Sequence, residues 1–336
     1  MQINQTIFPS LGGVSAELQG IVVCLCNAAQ ALDAILKRPQ QIAQRDVAVR
    51  QNSDGDMQVP LDVIADELVF EALRETSVKW YVSEERESVS ILQADGKFAL
   101  AVDPLDGSSN VDINVPVGTI FSIFPAEQEA EPSFLRSSGE QLAAGYFMYG
   151  PQLQLMLTLG QGVLQFGYDP VSETFVLMRD SVQIAERSSE FAINMSNYRH
   201  WSNPIRAYVD ECLAGVNGAR ERHFNMRWVA SLVAEAHRIL TRGGVFLYPA
   251  DQRDGYDKGR LRLLYECAPI GFLIEQAGGR AIDGHTDTLD LAASELHERV
   301  PFVFGSRECV DLIRSYHEEP EKELSALFTS RGLFRG

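Results

Sequence analysis

The chain has 336 residues, 45% of them hydrophobic, and a formal net charge of -17. That length sustains one large domain or two smaller ones around a sizeable core, while the acidic surplus excludes a general binder of nucleic acid or anionic membrane, because phosphate contacts need clustered Lys and Arg. No apolar run is expected to reach the roughly 20 residues of a membrane span, and the opening MQINQTIFPSLGG lacks the positive segment and apolar core of a secretory signal. Apolar residues at helical spacing predict a long amphipathic helix over 15–36, ending before Pro39. A second helix is expected over 62–74. Residues 98–102 form a short apolar run that suits a buried strand. Further strands are expected over 118–124 and 142–149, with the polar PAEQEAEPSFLRSSGE between them as an exposed loop. From 152 to 178 several short strands follow one another, turned at Gly160, Gly162, Gly167 and Asp169-Pro170. SNPIRAYVDECLAG has a cap residue at Ser202, Pro in the first turn and Gly at the end, a helix signature. Another helix is expected over 268–277, stopped by Gly278 and Gly279. The charged tail after about His317 is expected to be loosely held. Helices mixed with isolated and meandering strands indicate an α/β or α+β layered fold. The five cysteines are scattered without a CxxC pair, which fits reduced thiols in a cytoplasmic protein better than disulfides or a zinc site.

Acidic residues cluster in four places. NSDGDMQVPLD carries Asp54, Asp56 and Asp62, YVSEER carries Glu84 and Glu85, AVDPLDGSSNVD carries Asp103 and Asp106, and LRLLYEC carries Glu266. Glu84, Asp103 and Glu266 each lie at or beside an apolar segment, where an unpaired carboxylate is costly to bury. Either basic partners neutralise them or metal ions do. Around Asp54–Asp62 and Asp103–Asp106 there is no basic residue, and near Glu84 only Arg86. Oxygen-only ligation without Cys or His suits Mg²⁺, or Mn²⁺, both hard cations. Two such ions roughly 3.5–4 Å apart can clamp the attacking and leaving oxygens of a phosphoryl transfer, and a further carboxylate can take a proton from water. Gly107, Ser108 and Ser109 offer N–H groups and hydroxyls for an anion. Each piece alone is ordinary: DGSS is a common turn, and NSDGD lacks the distal Glu of a calcium loop. The conjunction carries the reading.

The segments VSEE, AVDPLDGSSN, VGTIF, AAGY, GVFLYPA and LRLLYEC, in that order, closely resemble class I fructose-1,6-bisphosphatases over about 15–315. DPLDG alone would admit the wider lithium-sensitive phosphatase superfamily; GVFLYPA and LRLLYE narrow it. The resemblance implies a layered α/β/α/β/α sandwich in two halves, 1–190 with the metal and 1-phosphate site and 191–336 with the sugar 6-phosphate site. It implies hydrolysis of the 1-phosphate of fructose 1,6-bisphosphate, in gluconeogenesis or a carbon-fixation cycle, by a homotetramer using two or more metal ions per subunit. By the same resemblance Glu84, Asp103, Asp106, Glu266 and the Leu105 carbonyl match the metal ligands, and Asp56 an additional metal position. Asp62 and Glu85 match the pair that positions and deprotonates the attacking water. Asp106, Gly107, Ser108 and Ser109 match the 1-phosphate loop, with Arg262 near it. Asn194, Arg227 and Tyr248 match the 6-phosphate side, the Arg reaching in from a neighbouring subunit.

Departures from the family pattern are informative. Arg260 stands where the family usually has Lys, with Lys258 close by in sequence, and a planar guanidinium is not equivalent to an ammonium. Trp228 follows Arg227 where a Tyr is common, and NMSNY departs from the usual residues after Asn194, which leaves Tyr198 without an assignment. These changes leave room for an alternative, a bifunctional enzyme that also accepts sedoheptulose 1,7-bisphosphate. At positions matching the inhibitory AMP site of animal relatives, Lys97 is kept, but Phe98, Pro125 and Gln19 replace polar phosphate contacts. Weak or absent AMP inhibition is therefore expected; saturable inhibition at micromolar AMP would overturn that expectation.

Overall fold

The computed structural model describes residues 14–38 and 60–318. Helix α1 (Ala16–Leu36) begins where the Ser15 hydroxyl accepts the Leu18 N–H at 3.2 Å, an N-cap. Its 21 residues are long and apolar enough to match a membrane span in length and composition, contrary to the sequence expectation. Leu18, Ile21, Val22, Leu25, Ala28, Ala29 and Leu32 are nevertheless buried in the protein core, so the apolar stripe is spent on packing. Helix α2 (Pro60–Leu73) lies along it.

Both helices cover one face of an eight-stranded sheet. Its strands are β1 (Val78–Ser83), β2 (Ser90–Ile91), β3 (Phe98–Asp106), β4 (Val117–Pro125), β5 (Ala143–Tyr149), β6 (Leu153–Thr158), β7 (Val163–Asp169) and β8 (Thr174–Arg179). Their order is β2-β1-β3-β4-β5-β6-β7-β8; β1 and β3 run parallel, and every other pair is antiparallel. Strand β4 shows how alternation builds two cores at once. Phe121 and Ile123 join the cluster under α1 and α2, while Ile120 joins the cluster on the opposite face.

Against that opposite face pack α4 (Leu232–Arg242) and α5 (Ala268–Gln276). Beyond them lies a second sheet of β9 (Glu190–Ala192), β10 (Asn225–Met226), β11 (Val245–Tyr248), β13 (Arg280–Ile282) and β15 (Phe302–Gly305), ordered β10-β9-β11-β15-β13. Strand β11 alternates in the same way: Phe246 faces α4 and α5, while Val245 and Leu247 face the outer helices α3 (Asn203–Ala214) and α6 (Arg307–Glu318). The result is a five-layer α/β/α/β/α sandwich, the fold expected from the sequence. A short ribbon of β12 (Leu261–Arg262) and β14 (Arg299–Val300) stands apart from both sheets.

Two further expectations need correction. The strand read over 98–102 continues to Asp106 and is buried throughout. Residues 125–140 are not an exposed loop along their whole length. Phe134 is buried edge-to-face on Phe124, and Ser137 and Ser138 bind the carbonyls of Leu289 and Leu291. These contacts tie the first sheet to the far end of the chain. None of the five cysteines is paired in a disulfide, and Cys267 is fully buried.

Candidate active site

The two aspartates of DPLD come together through a β-bulge. Asp103 lies opposite Ile120 and Asp106 opposite Gly118, so three steps along β3 face two along β4. Residues three apart in a regular strand point to opposite faces. The extra residue returns both to one side, where carboxylate oxygens of Asp103, Asp106 and Glu266 lie within 4.8 Å of one another. Pro104 suits this position because it has no N–H to leave unpaired. Its carbonyl accepts the Thr119 hydroxyl at 2.8 Å, and the Leu105 N–H donates to Asp103 Oδ1 at 3.0 Å.

Glu266 arrives from a π-turn, Leu263–Cys267, that runs directly into α5. Such wide turns re-aim a side chain and are frequent at functional sites. Its Oε2 accepts the Arg262 N–H at 2.6 Å. Glu84 follows β1, its N–H bound to the Val102 carbonyl at 3.0 Å. One Glu84 oxygen pairs with the Arg262 guanidinium; the other, Oε2, is buried with no hydrogen-bond partner among the described residues. Asp106 Oδ2 accepts the Val233 N–H at 3.1 Å, so the N-terminus of α4 points its partial positive charge at the carboxylate.

Burial, and then the charges of Glu84, Asp106 and Glu266, hold the Asp103 carboxyl well above the usual carboxylate range. Burial pushes Asp106 up to about 7, opposed by the Val233 N–H and reinforced by Glu84. Burial and the neighbouring Glu84 and Asp106 raise Glu266 well above its ordinary value. These acids are poorly stable together as anions without a compensating cation. The donor set contains only oxygen, and one buried oxygen lacks a partner. Both facts fit a hard divalent cation.

Around the cluster opens a cavity of about 600 Å³. Glu84, Glu85, Asp103, Leu105, Asp106 and Glu266 line its acidic part, and Gly107, Ser108 and Ser109 the adjoining turn. Gly107 sits at φ +75, in the left-handed region that favours glycine. Asn110 Nδ2 donates to the Ala230 carbonyl at 2.8 Å and ties the turn to the start of α4. Tyr248, Arg260 and Arg262 also line the cavity, and Lys258 does not. Sequence reasoning missed Asp254, Gly255, Tyr256 and Arg299, which line it as well. Arg299 stands opposite Arg262 in the β12–β14 ribbon, a pairing no local motif announces.

Other expected residues lie elsewhere. Asp62 is buried in the first turn of α2, outside the cavity lining. Asn194 caps the turn Met195–His200, its Oδ1 accepting the Ser196 N–H at 3.2 Å. Arg227 is half-exposed and paired with Glu190 at 3.5 Å. The Tyr198 hydroxyl donates to Asp210. Trp228 stacks on Phe246 and touches Tyr248. Asp54 and Asp56 lie outside the described residues.

A five-layer sandwich with an oxygen-only acid cluster beside a Gly-Ser turn defines a phosphoric-ester hydrolase of the sugar-phosphatase class. Residues 9–180 match the family model for the fructose-1,6-bisphosphatase N-terminal domain, and 184–318 match that for the C-terminal domain. The chain belongs to the fructose-1,6-bisphosphatase family. It is 56% identical over 322 residues to the class 1 fructose-1,6-bisphosphatase of Paracoccus denitrificans, covering 96% of this chain and 97% of that one. It is 54% identical to a class 1 enzyme of Bradyrhizobium sp., covering 96% and 95% respectively. Among solved structures, the holo form of Leishmania major fructose-1,6-bisphosphatase superposes with a TM-score of 0.83 at 30% identity, over 90% of this chain and 94% of that one.

Proposed function

We propose that the chain is a fructose-bisphosphatase that hydrolyses the 1-phosphate of fructose 1,6-bisphosphate to fructose 6-phosphate and phosphate. The observation that carries this reading is the convergence of Asp103, Asp106 and Glu266 on one point of a cavity floored by the Gly107–Ser109 turn. Glu84, Asp103, Asp106, Glu266 and the Leu105 carbonyl would hold cations of the magnesium class, which would supply charge stabilisation at the phosphoryl group and acidify water. Asp56 is proposed as a further ligand. Glu85 lines the cavity and takes the water proton, with Asp62 assisting from α2. Gly107, Ser108 and Ser109 bind the 1-phosphate, and Arg262 carries charge beside Glu84 that substrate phosphate can share. Tyr248 and Arg260 bind the sugar's far side, and Asn194 contributes to it.

The homotetramer belongs to the same proposal. Arg227, half-exposed and outside its own chain's cavity, is available to complete a neighbour's site. A fully active monomer by light scattering at assay concentration would refute this. Five cysteines without a disulfide fit a cytoplasmic setting.

The direct test of substrate class is a panel of fructose 1,6-bisphosphate, sedoheptulose 1,7-bisphosphate and inositol monophosphate, each assayed for phosphate release with Mg²⁺ and with excess chelator. Release from the first substrate, abolished by chelator, is expected. No release from any of the three would refute the reading. The sedoheptulose alternative has no observation in its favour.

A further inference from the structure

The loop joining β11 to β12 carries a stack of side chains that reaches into the cavity. Two guanidinium groups lie over the Tyr256 ring, with Arg253 Cζ 4.6 Å and Arg260 Cζ 4.5 Å from its centroid. Arg260 also sits 5.7 Å from the Tyr248 ring centroid. The two ends of the stack differ in charge. Arg253 is neutralised by Asp251, its Nε donating at 2.9 and 3.1 Å to the two carboxylate oxygens. Arg260 lines the cavity with no carboxylate paired to it among the described residues.

The loop itself is built to hold this ring. The Tyr256 N–H donates to the Arg253 carbonyl at 3.0 Å, and the Tyr256 carbonyl accepts from the N–H groups of Asp251 and Gly259 at 3.0 and 3.2 Å. Gly259 has φ +88, and a Cβ there would lie 2.1 Å from the Val300 carbonyl carbon and 2.3 Å from the Pro301 nitrogen. Only glycine lets the loop close against that chain. A guanidinium on a long stem otherwise pays rotamer entropy each time it binds. Stacking on an aromatic face fixes its plane, which an ammonium does not need and cannot use in the same way.

We infer that Tyr256 is a positioning residue. Its ring sets the plane of Arg260, so that the guanidinium receives the second phosphate of a bisphosphate substrate and discriminates against sugars with one phosphate. This rests on the proposed phosphatase reading and deepens it.

The test compares Tyr256→Phe, Tyr256→Ala and Arg260→Lys for hydrolysis of fructose 1,6-bisphosphate and fructose 1-phosphate. In parallel, fructose 6-phosphate and inorganic phosphate are titrated calorimetrically into each variant. Tyr256→Phe keeps the ring and is expected within about twofold of the parent. Tyr256→Ala is expected to raise KM for the bisphosphate about tenfold with kcat nearly unchanged, leaving KM for fructose 1-phosphate as it was. Fructose 6-phosphate should bind about tenfold more weakly and inorganic phosphate equally well. Arg260→Lys should reproduce Tyr256→Ala, and carries the test if the alanine variant fails to fold. Equal losses for both esters, a fall in kcat alone, or no change in fructose 6-phosphate affinity would overturn the inference. If the parent hydrolyses neither ester, the activity reading fails, and the fructose 6-phosphate titration still decides the role of Tyr256.

Discussion

Asp103→Asn is expected to abolish phosphate release, by about a thousandfold or more, while making the metal-free protein more stable. The two effects have one cause. Asp103 is buried beside Glu84, Asp106 and Glu266, and that crowding holds its carboxyl well above the ordinary range. Neutral Asn removes a repelling charge and keeps Oδ1, which accepts the Leu105 N–H. Relief of a buried, uncompensated charge is worth about 1–3 kcal/mol. The pH dependence follows from the direction of the shifts. A carboxyl whose folded pKa is raised binds more protons folded than unfolded between the two values, so stability in that window falls as pH rises. For Asp106 the window runs from the ordinary carboxylate range up to about 7. The melting-temperature gain of Asp103→Asn in chelator should therefore be small in the ordinary carboxylate range and grow as pH rises above it. Added Mg²⁺ should stabilise the parent and not the variant. A variant less stable than the parent at pH 8 in chelator would contradict the account of the cluster as a charged group awaiting a cation.

Gly118→Ala is expected to lower stability and to weaken metal affinity together. Gly118 faces Asp106 across the bulge, and a Cβ there would meet the Phe147 carbonyl oxygen at 2.5 Å and Val233 Cγ1 at 2.6 Å. The Phe147 contact is backbone and cannot yield cheaply, so Val233 and the start of α4 must shift. The Val233 N–H is the donor that holds Asp106. Overpacking of this kind costs about 1–3 kcal/mol. The Mg²⁺ concentration for half-maximal rate should rise about tenfold as Asp106 loses its fixed orientation. A variant with a lower melting temperature but unchanged Mg²⁺ dependence would show that α4 does not orient the ligand.

Local signals carried much of the fold. Ser15 and the apolar spacing after it marked α1 to within a residue, and Pro204 with Gly215 bracketed α3. The amphipathic patterns of α4 and α6 were also present in the sequence, at Leu232, Ala236 and Ile239 and at Cys309, Val310 and Ile313, but were not picked out. In the site, the residue types of the acidic cluster were legible because carboxylates beside apolar runs are costly. Its geometry was not. Nothing in DPLD alone says that β3 continues through it, because the bulge exists only in register with β4. Nor could spacing show that LLYEC forms a π-turn, or that Arg299 faces Arg262 across 37 positions, 299 minus 262. Tyr256 was missed because its meaning depends on two arginines stacked on it, which no motif encodes.

The measurement that bears most directly on the central claim is hydrolysis of fructose 1,6-bisphosphate in ¹⁸O-labelled water with Mg²⁺. Attack by water on phosphorus, in the cavity formed by Asp103, Asp106 and Glu266, predicts one labelled oxygen in the released phosphate. The fructose 6-phosphate should carry no label at its C1 oxygen, and excess chelator should abolish the reaction. Label at the C1 oxygen of the sugar, release of the 6-phosphate, or a rate indifferent to chelator would contradict it.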